Sequence, residues 1–310
     1  MNKAYLKYVL GLLLFGLNGI VASRIHMPSY GIVFFRTLIG SLFLLCVHGL
    51  TGGRLRLVKQ RRGHLVCLCV SGVAMGLSWM FLYEAYQRSG VGLASLTYYT
   101  GPVIVVALSP VLFREKLTGP MGVCFALVLA GMVLTNLRQF GVGGDPIGLF
   151  CGLMSAVMYA FMVIFNKKAA SITGLKNSAL QLSVSFLTVL IYVCVRQGVS
   201  LPETVGEWLW LFVLGLVNTG VGCYLYFSSI GSLPVQHVSV LGYIEPLSAL
   251  VFSALLLREG LGARELFGAL LILGGAIGLC VMQSRPTGTD MDNTAEDSFQ
   301  RRKDTIQPRR

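Results

Sequence analysis

Apolar runs of about 20 residues recur along this chain from one end to the other, the length an α-helix needs to cross a hydrocarbon layer about 30 Å thick. Inside lipid every backbone N–H and C=O must be bonded within the protein, which leaves helices and closed barrels, and barrel strands need only about 9–11 residues. The 310 residues are 55% hydrophobic and 12% charged, against about 25% charged in soluble domains. The runs read as ten spans: Tyr5–Ser23, Tyr30–Leu50, Leu65–Gln87, Leu93–Phe113, Pro120–Asn136, Ile147–Asn166, Asn177–Gln197, Glu207–Ile230, Val235–Leu257 and Ala263–Gln283. They predict an all-α polytopic membrane protein. Lys3 and Lys7 at the first span suit a signal peptide, but the run is long and lacks an Ala-x-Ala cleavage site, so it is read as a retained helix.

Placement of the basic residues gives an orientation. With the N-terminus in the cytoplasm, eighteen of the 25 Lys and Arg fall on that side, six fall opposite, and Arg36 lies within a span. The positive-inside rule then puts both termini in the cytoplasm of a cell with an inner or plasma membrane. The net charge of +12 therefore needs no nucleic-acid partner, and no soluble basic face interleaved with aromatics is visible. Six of the eight cysteines fall inside spans and Cys67-x-Cys69 lacks redox or zinc spacing, so they read as small packing residues.

Sliding the chain by 144 residues superposes Leu93–Thr135 on His237–Leu279, with Ser95 on Ser239, Tyr99 on Tyr243, Pro102 on Pro246, Arg114-Glu115 on Arg258-Glu259 and Gly131 on Gly275. Each unit then holds five spans, and an odd number requires the copies to insert in opposite senses. The expected organisation is a first five-helix repeat at 1–140, an inverted second repeat at 141–284, and a polar cytoplasmic tail at 285–310 that lacks an apolar face. Inverted repeats are a common construction of secondary carriers, because two oppositely oriented halves can exchange conformations about a central site.

The residues themselves resemble a known family. Phe15-Gly16-Leu17-Asn18, Arg36, Ala85, Ala94-Ser95-Leu96, Pro102 and Arg114-Glu115-Lys116-Leu117 in the first half are similar to the EamA branch of the drug/metabolite transporter superfamily. Val238-Ser239-Val240, Glu245-Pro246, Arg258-Glu259 and the glycine-rich Gly268–Gly278 repeat that signature in the second half. The resemblance covers nearly the whole chain and implies ten helices in two five-helix repeats. It also implies transport, usually export, of a solute drawn from amino acids, other metabolites or drugs.

An ionisable side chain within a span costs about 2.5–3.5 kcal/mol to insert and is a functional candidate by default. Arg36, whose planar fork suits a carboxylate, is expected either to contact solute or to form a structural ion pair with Glu84, which lies at similar depth near the outer end of its span. Glu245, near the middle of the ninth span, is expected to respond to protons and couple transport to a gradient or hold a cationic solute group, the alternative being a fixed interhelical hydrogen bond. Pro102 and Pro246 should kink their helices and free a carbonyl toward a cavity. Asn18, Trp79, Tyr98, Tyr99, Tyr159 and Tyr243, with Asn218 and Tyr224, could line that cavity or simply pack. Glu115 and Glu259 are read as structural, placed to reach the start of the following helix.

Two other classes compete. A polytopic membrane enzyme would need convergent catalytic groups, yet the four histidines lie in separate segments and no H-E-x-x-H occurs. A membrane scaffold would leave the Glu in the ninth span unexplained. No G-x-x-x-x-G-K-[ST] loop is present, so a gradient and not ATP hydrolysis by this chain is the expected driver. No cofactor or metal is expected; the partners are a small solute and the bilayer, with a homodimer as an option.

Overall fold

A computed structural model describes residues 3–51, 62–113, 119–136, 145–196, 198, 200–256 and 262–283. Among them the chain is helical throughout: α1 Lys3–Gly16, α2 Asn18–Ala22, α3 Ser29–Leu50, α4 Arg62–Tyr98, α5 Gly101–Phe113, α6 Gly119–Asn136, α7 Pro146–Lys168, α8 Gly174–Arg196, α9 Val205–Phe212, a π-helical segment Val213–Val221, α10 Gly222–Ile230, α11 Val235–Leu241, α12 Ile244–Leu256 and α13 Ala263–Gln283. Among the described residues, six stretches are long and apolar enough to cross a membrane: Lys3–Ala22, Ser29–Leu50, Arg62–Arg88, Pro146–Lys168, Gly174–Val195 and Val205–Ile230. Shorter apolar helices occupy the places of the other expected spans, among them Gly101–Phe113 and Gly119–Leu134.

Four expected spans are less regular than their sequences suggested. The first breaks at Leu17, between α1 and α2. The third runs helically past Gln87 to Tyr98, and the fourth begins its own helix only at Gly101. The ninth divides at Gly242-Tyr243. Pro102 and Pro246 are thus the second and third residues of new helices. They start α5 and α12 where a missing N–H costs nothing, and they do not kink a continuous helix.

The molecule packs with its polar groups inward. Leu42, Val66, Phe161, Ile191 and Leu209 are among many large apolar side chains on the outside, whereas Ser71, Asn166, Asn177, Gln181 and Arg36 are buried. Lipid, unlike water, gives no reason to hide the first set and every reason to hide the second. One core joins Tyr8 and Leu12 of α1 to Tyr226 and Ile230 of α10, with Leu44, Leu182 and Val238 beside them.

Helices of the two halves meet across a shared seam, α1 on α10 and α12, α7 on α4 and α5, α3 on the π segment and on α8, and α6 on α13. At the last contact two glycines are obligatory. A Cβ on Gly131 would stand 2.5 Å from the Gly268 carbonyl oxygen and 2.9 Å from Ile272, while one on Gly275 would stand 2.6 Å from the Cys124 carbonyl oxygen and 2.7 Å from Val128. Every partner of Gly131 lies 144 residues beyond a partner of Gly275.

Candidate functional site

A cavity of about 490 Å³ lies between the halves, walled by α1 to α4, α7, α10 and the first turn of α12. Its rim includes Gly19, Ser23 and Gln87, all exposed, at the face opposite the start of α1. Its other end is closed by the buried Met162, Tyr226 and Phe227. We call these the distal and N-terminal ends.

Arg36 reaches the cavity from α3 and is only 4% exposed. Its Nε donates to the Thr219 hydroxyl at 3.1 Å, its Nη1 to the Tyr83 hydroxyl at 3.5 Å, and its guanidinium carbon lies 4.7 Å from the centre of the Trp79 ring. A desolvated cation over an indole face gains about 2 kcal/mol, a large part of what burial of the charge costs. The alternative partner expected from the sequence is engaged elsewhere. Glu84 accepts from Arg88 at 2.6 Å, and Arg88 also reaches Asp145 at 3.2 Å. Among the described residues no carboxylate lies within 4.0 Å of Arg36. The hydrogen bonds and ring contact of Arg36 are with the neutral groups Thr219, Tyr83 and Trp79, and Glu245 shares its cavity without a direct ion pair.

The other expected residues mostly converge here. Asn18, the first residue of α2, lines the cavity with its Oδ1 buried and without a hydrogen-bond partner among the described residues. Such an acceptor costs about 1–3 kcal/mol and suits a ligand donor. Trp79, Tyr98, Tyr99 and Tyr159 supply ring faces, Tyr98 meeting Tyr159 edge-on at 5.5 Å. The Tyr159 hydroxyl lies 3.4 Å from that of Tyr226. Glu245 lines the cavity too, but from the first turn of α12 and not from mid-helix.

Tyr243 stands apart. It is fully buried outside the cavity, and its hydroxyl donates to the Tyr99 carbonyl at 2.8 Å, so it caps the helix break of the other half. Asn218 donates to the Leu14 carbonyl at 3.1 Å, and Tyr224 lies under Lys7 at 5.4 Å; neither lines the cavity. Glu115 and Glu259 lie outside the described residues.

Several lining residues escaped the sequence reading, among them Phe15, Tyr83, Met162, Cys223, Tyr226 and Phe227. A usable signal existed. Shifting Phe15, Asn18, Trp79, Leu82 and Tyr83 by 144 gives Tyr159, Met162, Cys223, Tyr226 and Phe227, and all ten line the cavity. Arg36 and Glu245 break this correspondence, since their counterparts are Leu180 and Gly101, neither of which is in the wall. Thr219 and the π turn that carries it had no sequence signal that we can name.

Known proteins bear on this arrangement. A 24% identical relative over 304 residues, covering 94% of this chain and 95% of its own, is an uncharacterized transporter, YxxF, of Bacillus subtilis. Another, from Clostridium kluyveri, is also an uncharacterized transporter, 24% identical over 291 residues with 89% and 93% covered. A solved crystal structure with 19% identity superposes at a TM-score of 0.78 over 91% of this chain and 99% of its own, and so shares the fold. The model of the EamA-like transporter family matches residues 2–137 and matches again at 146–281. With that signature met once in each half, around one cavity that both halves line, the chain belongs to the EamA-like transporter family of multi-pass membrane proteins.

Proposed function

We propose that this protein is a secondary transporter that exports a small polar organic solute, an amino acid or a related metabolite, by alternating access between two inverted five-helix halves. The observation that carries this reading is the cavity: five pairs of repeat-equivalent residues line it, and the arginine and the carboxylate in its wall, Arg36 and Glu245, come one from each half without a charged counterpart. A site on a pseudo-twofold axis can be opened to either face by small opposite movements of similar halves. The seam supports the inverted relation. The contact of α1 with α10 corresponds under the 144-residue shift to that of α7 with α4, α1 with α12 to α7 with α5, and Gly131 and Gly275 exchange partners.

In this mechanism the Arg36 guanidinium receives the solute's anionic group in a site of low dielectric, where a charge-assisted bond is strong. Glu245 and the Asn18 carbonyl take its donor groups, and the aromatic walls cover its carbon skeleton. Glu245 couples movement to the proton gradient, its exposure changing as α12 tilts about the Gly242-Tyr243 break. Export and cytoplasmic termini follow from the charge asymmetry and the family resemblance.

Counterflow tests this in proteoliposomes loaded from a metabolite panel that compares efflux with and without the protein. A labelled solute should accumulate transiently against an excess of the same unlabelled solute. Chemical conversion without net movement would make the protein an enzyme, and the absence of counterflow for every solute that the cells fail to release would make it a scaffold. Reporter fusions after Arg62 and after Arg285 should report the cytoplasm for both; opposite sides would overturn the ten-span topology.

A further inference from the structure

The span Val205–Ile230 is α-helical at both ends and π-helical between Val213 and Val221. Such wide turns are rare and occur often at functional sites. Here the turn has a definite chemical result. The Thr219 hydroxyl, fully buried, donates its single proton to the Leu214 carbonyl, five residues back, at 2.8 Å. Its oxygen can then only accept from other groups, and what it accepts is the Arg36 Nε–H at 3.1 Å.

A guanidinium has five N–H donors in a rigid fork. Thr219 takes the one on Nε, the Trp79 face fixes the plane, and Tyr83 takes at most one on Nη1. The edge formed by Nε and one Nη, which carboxylates often use, is therefore occupied, and what remains for a ligand is the end formed by Nη1 and Nη2. Asn218, the residue before Thr219, bonds the Leu14 carbonyl beside the break that begins α2 at Asn18. One π turn thus braces two polar groups of the cavity. The repeat equivalent of Thr219 is Met75, in the α-helical part of α4, so the first half has no comparable device there.

We propose that Thr219, presented by the π turn, is a positioning residue that holds the Arg36 guanidinium end-on to the cavity and so restricts the site to solutes whose oxyanion can meet the Nη1/Nη2 end. This rests on the transport reading for its biological meaning, but not for its geometry. The test is therefore made without transport, on the full chain purified in detergent. Phenylglyoxal condenses with the Nη atoms of arginine, and its addition to Arg36 can be followed by peptide mass spectrometry, alone and with benzoate or its neutral isostere benzamide.

In the unaltered protein Arg36 should react, and benzoate but not benzamide should protect it. Thr219→Ser, which keeps the hydroxyl, should behave the same way. Thr219→Val, of nearly equal size, should change the rate of modification and weaken benzoate protection by about fivefold or more, the effect of losing a hydrogen bond to a charged group. Equal rates and equal protection in Thr219→Val and the unaltered protein would overturn the positioning role. Failure of benzoate to protect the unaltered protein would overturn the end-on anion site. If Thr219→Val does not fold, a Thr219→Ser protein that reacts differently from the unaltered one overturns the proposal equally. Absence of counterflow would defeat the transport reading and leave these outcomes as they stand.

Discussion

The two ends of the cavity carry residues that are counterparts under the 144-residue shift, and they are tied in different ways. At the N-terminal end Asn166 and Asn177 exchange amide hydrogen bonds of 3.1 and 3.0 Å, Asn166 also donates to Gln181 at 3.3 Å, and Asn177 donates to the Phe227 carbonyl at 3.1 Å. Gln181 donates to Ser71 at 2.9 Å, and Ser71 to the Met162 carbonyl at 2.6 Å. The cluster joins α4, α7, α8 and α10 directly behind the closed end. At the distal end, 144 residues earlier, the counterparts of Asn166, Asn177 and Gln181 are Ala22, Val33 and Thr37. Ala22 lines the cavity wall, and Thr37 spends its hydroxyl on the carbonyls of Val33 and Phe34 within its own helix. A duplicated fold does not by itself choose which face to open; here polar side chains present in one copy and missing from the other make the two ends unequal.

The largest expected effect concerns what the cavity holds. Arg36→Ala should abolish transport of carboxylate-bearing solutes at equal membrane abundance, because it removes a cation in a site of low dielectric and leaves the Glu245 carboxylate in the wall without it. Full transport by Arg36→Ala would mean that the open distal end serves something other than anion capture.

The next effect addresses the latch itself. Interhelical hydrogen bonds in membranes average about 0.6 kcal/mol, and two of the cluster, from Gln181 to Ser71 and from Ser71 to the Met162 carbonyl, cross between the halves, so the latch amounts to roughly 1.2 kcal/mol, a bias of about eightfold toward closure of the N-terminal end. Gln181→Leu with Ser71→Ala should remove both crossing bonds. A reporter cysteine at the closed end, Met162→Cys in a background without native cysteines, should then react with an impermeant thiol reagent from the N-terminal face several times faster than in the intact latch. Unchanged labelling would show that packing around Tyr8 and Tyr226 closes that end without help from the amides.

Glu245→Gln is expected to act on coupling while leaving both ends intact. It should insert normally and lose acceleration by an imposed pH gradient, together with most of its pH dependence, while solute exchange survives. Retention of both the gradient-driven rate and the pH profile would reduce Glu245 to a fixed hydrogen-bonding group at the start of α12.

How much of this could be read in the sequence depended on the kind of signal. The apolar runs and the 144-residue shift carried the helical class and the positions of the halves, because lipid imposes a one-dimensional pattern that survives in composition. Of the side chains expected to line a cavity, Arg36, Glu245, Asn18, Trp79, Tyr98, Tyr99 and Tyr159 share one wall, since ionisable and aromatic residues inside spans are few and must go inward, whereas Tyr243, Asn218 and Tyr224 lie outside it. The ends of helices were misplaced where sequence and geometry part. Tyr99-Thr100 and Gly242-Tyr243 break their helices a turn before each proline, and the Tyr243 ring that looked like wall material caps a carbonyl instead. Thr219 was illegible because its role depends on a π turn. The latch was illegible because Asn166, Asn177 and Gln181 sit near a span end, where polar residues are ordinarily read as interface.

The smallest expected effect tests whether the distal end, although open, is tied at its periphery. Thr204 caps α9 in a reciprocal box: its hydroxyl accepts from the Glu207 N–H at 3.2 Å, and the Glu207 carboxylate accepts from the Thr204 N–H at 3.2 Å and the Glu203 N–H at 2.9 Å. The same carboxylate accepts from the His26 N–H at 3.2 Å, which fastens the link between α2 and α3 to the start of α9. Loss of an N-cap side chain costs about 1 kcal/mol. Thr204→Ala should therefore lower thermal stability slightly in detergent and leave counterflow nearly unchanged, because the capping bonds lie outside the cavity wall. Glu207→Gln should cost more, since one oxygen acceptor is exchanged for a donor facing N–H groups. A loss of transport in Thr204→Ala comparable to that in Arg36→Ala would place the distal rim among the moving parts, and the contrast between a latched end and an untied one would have to be redrawn as a contrast between two gates.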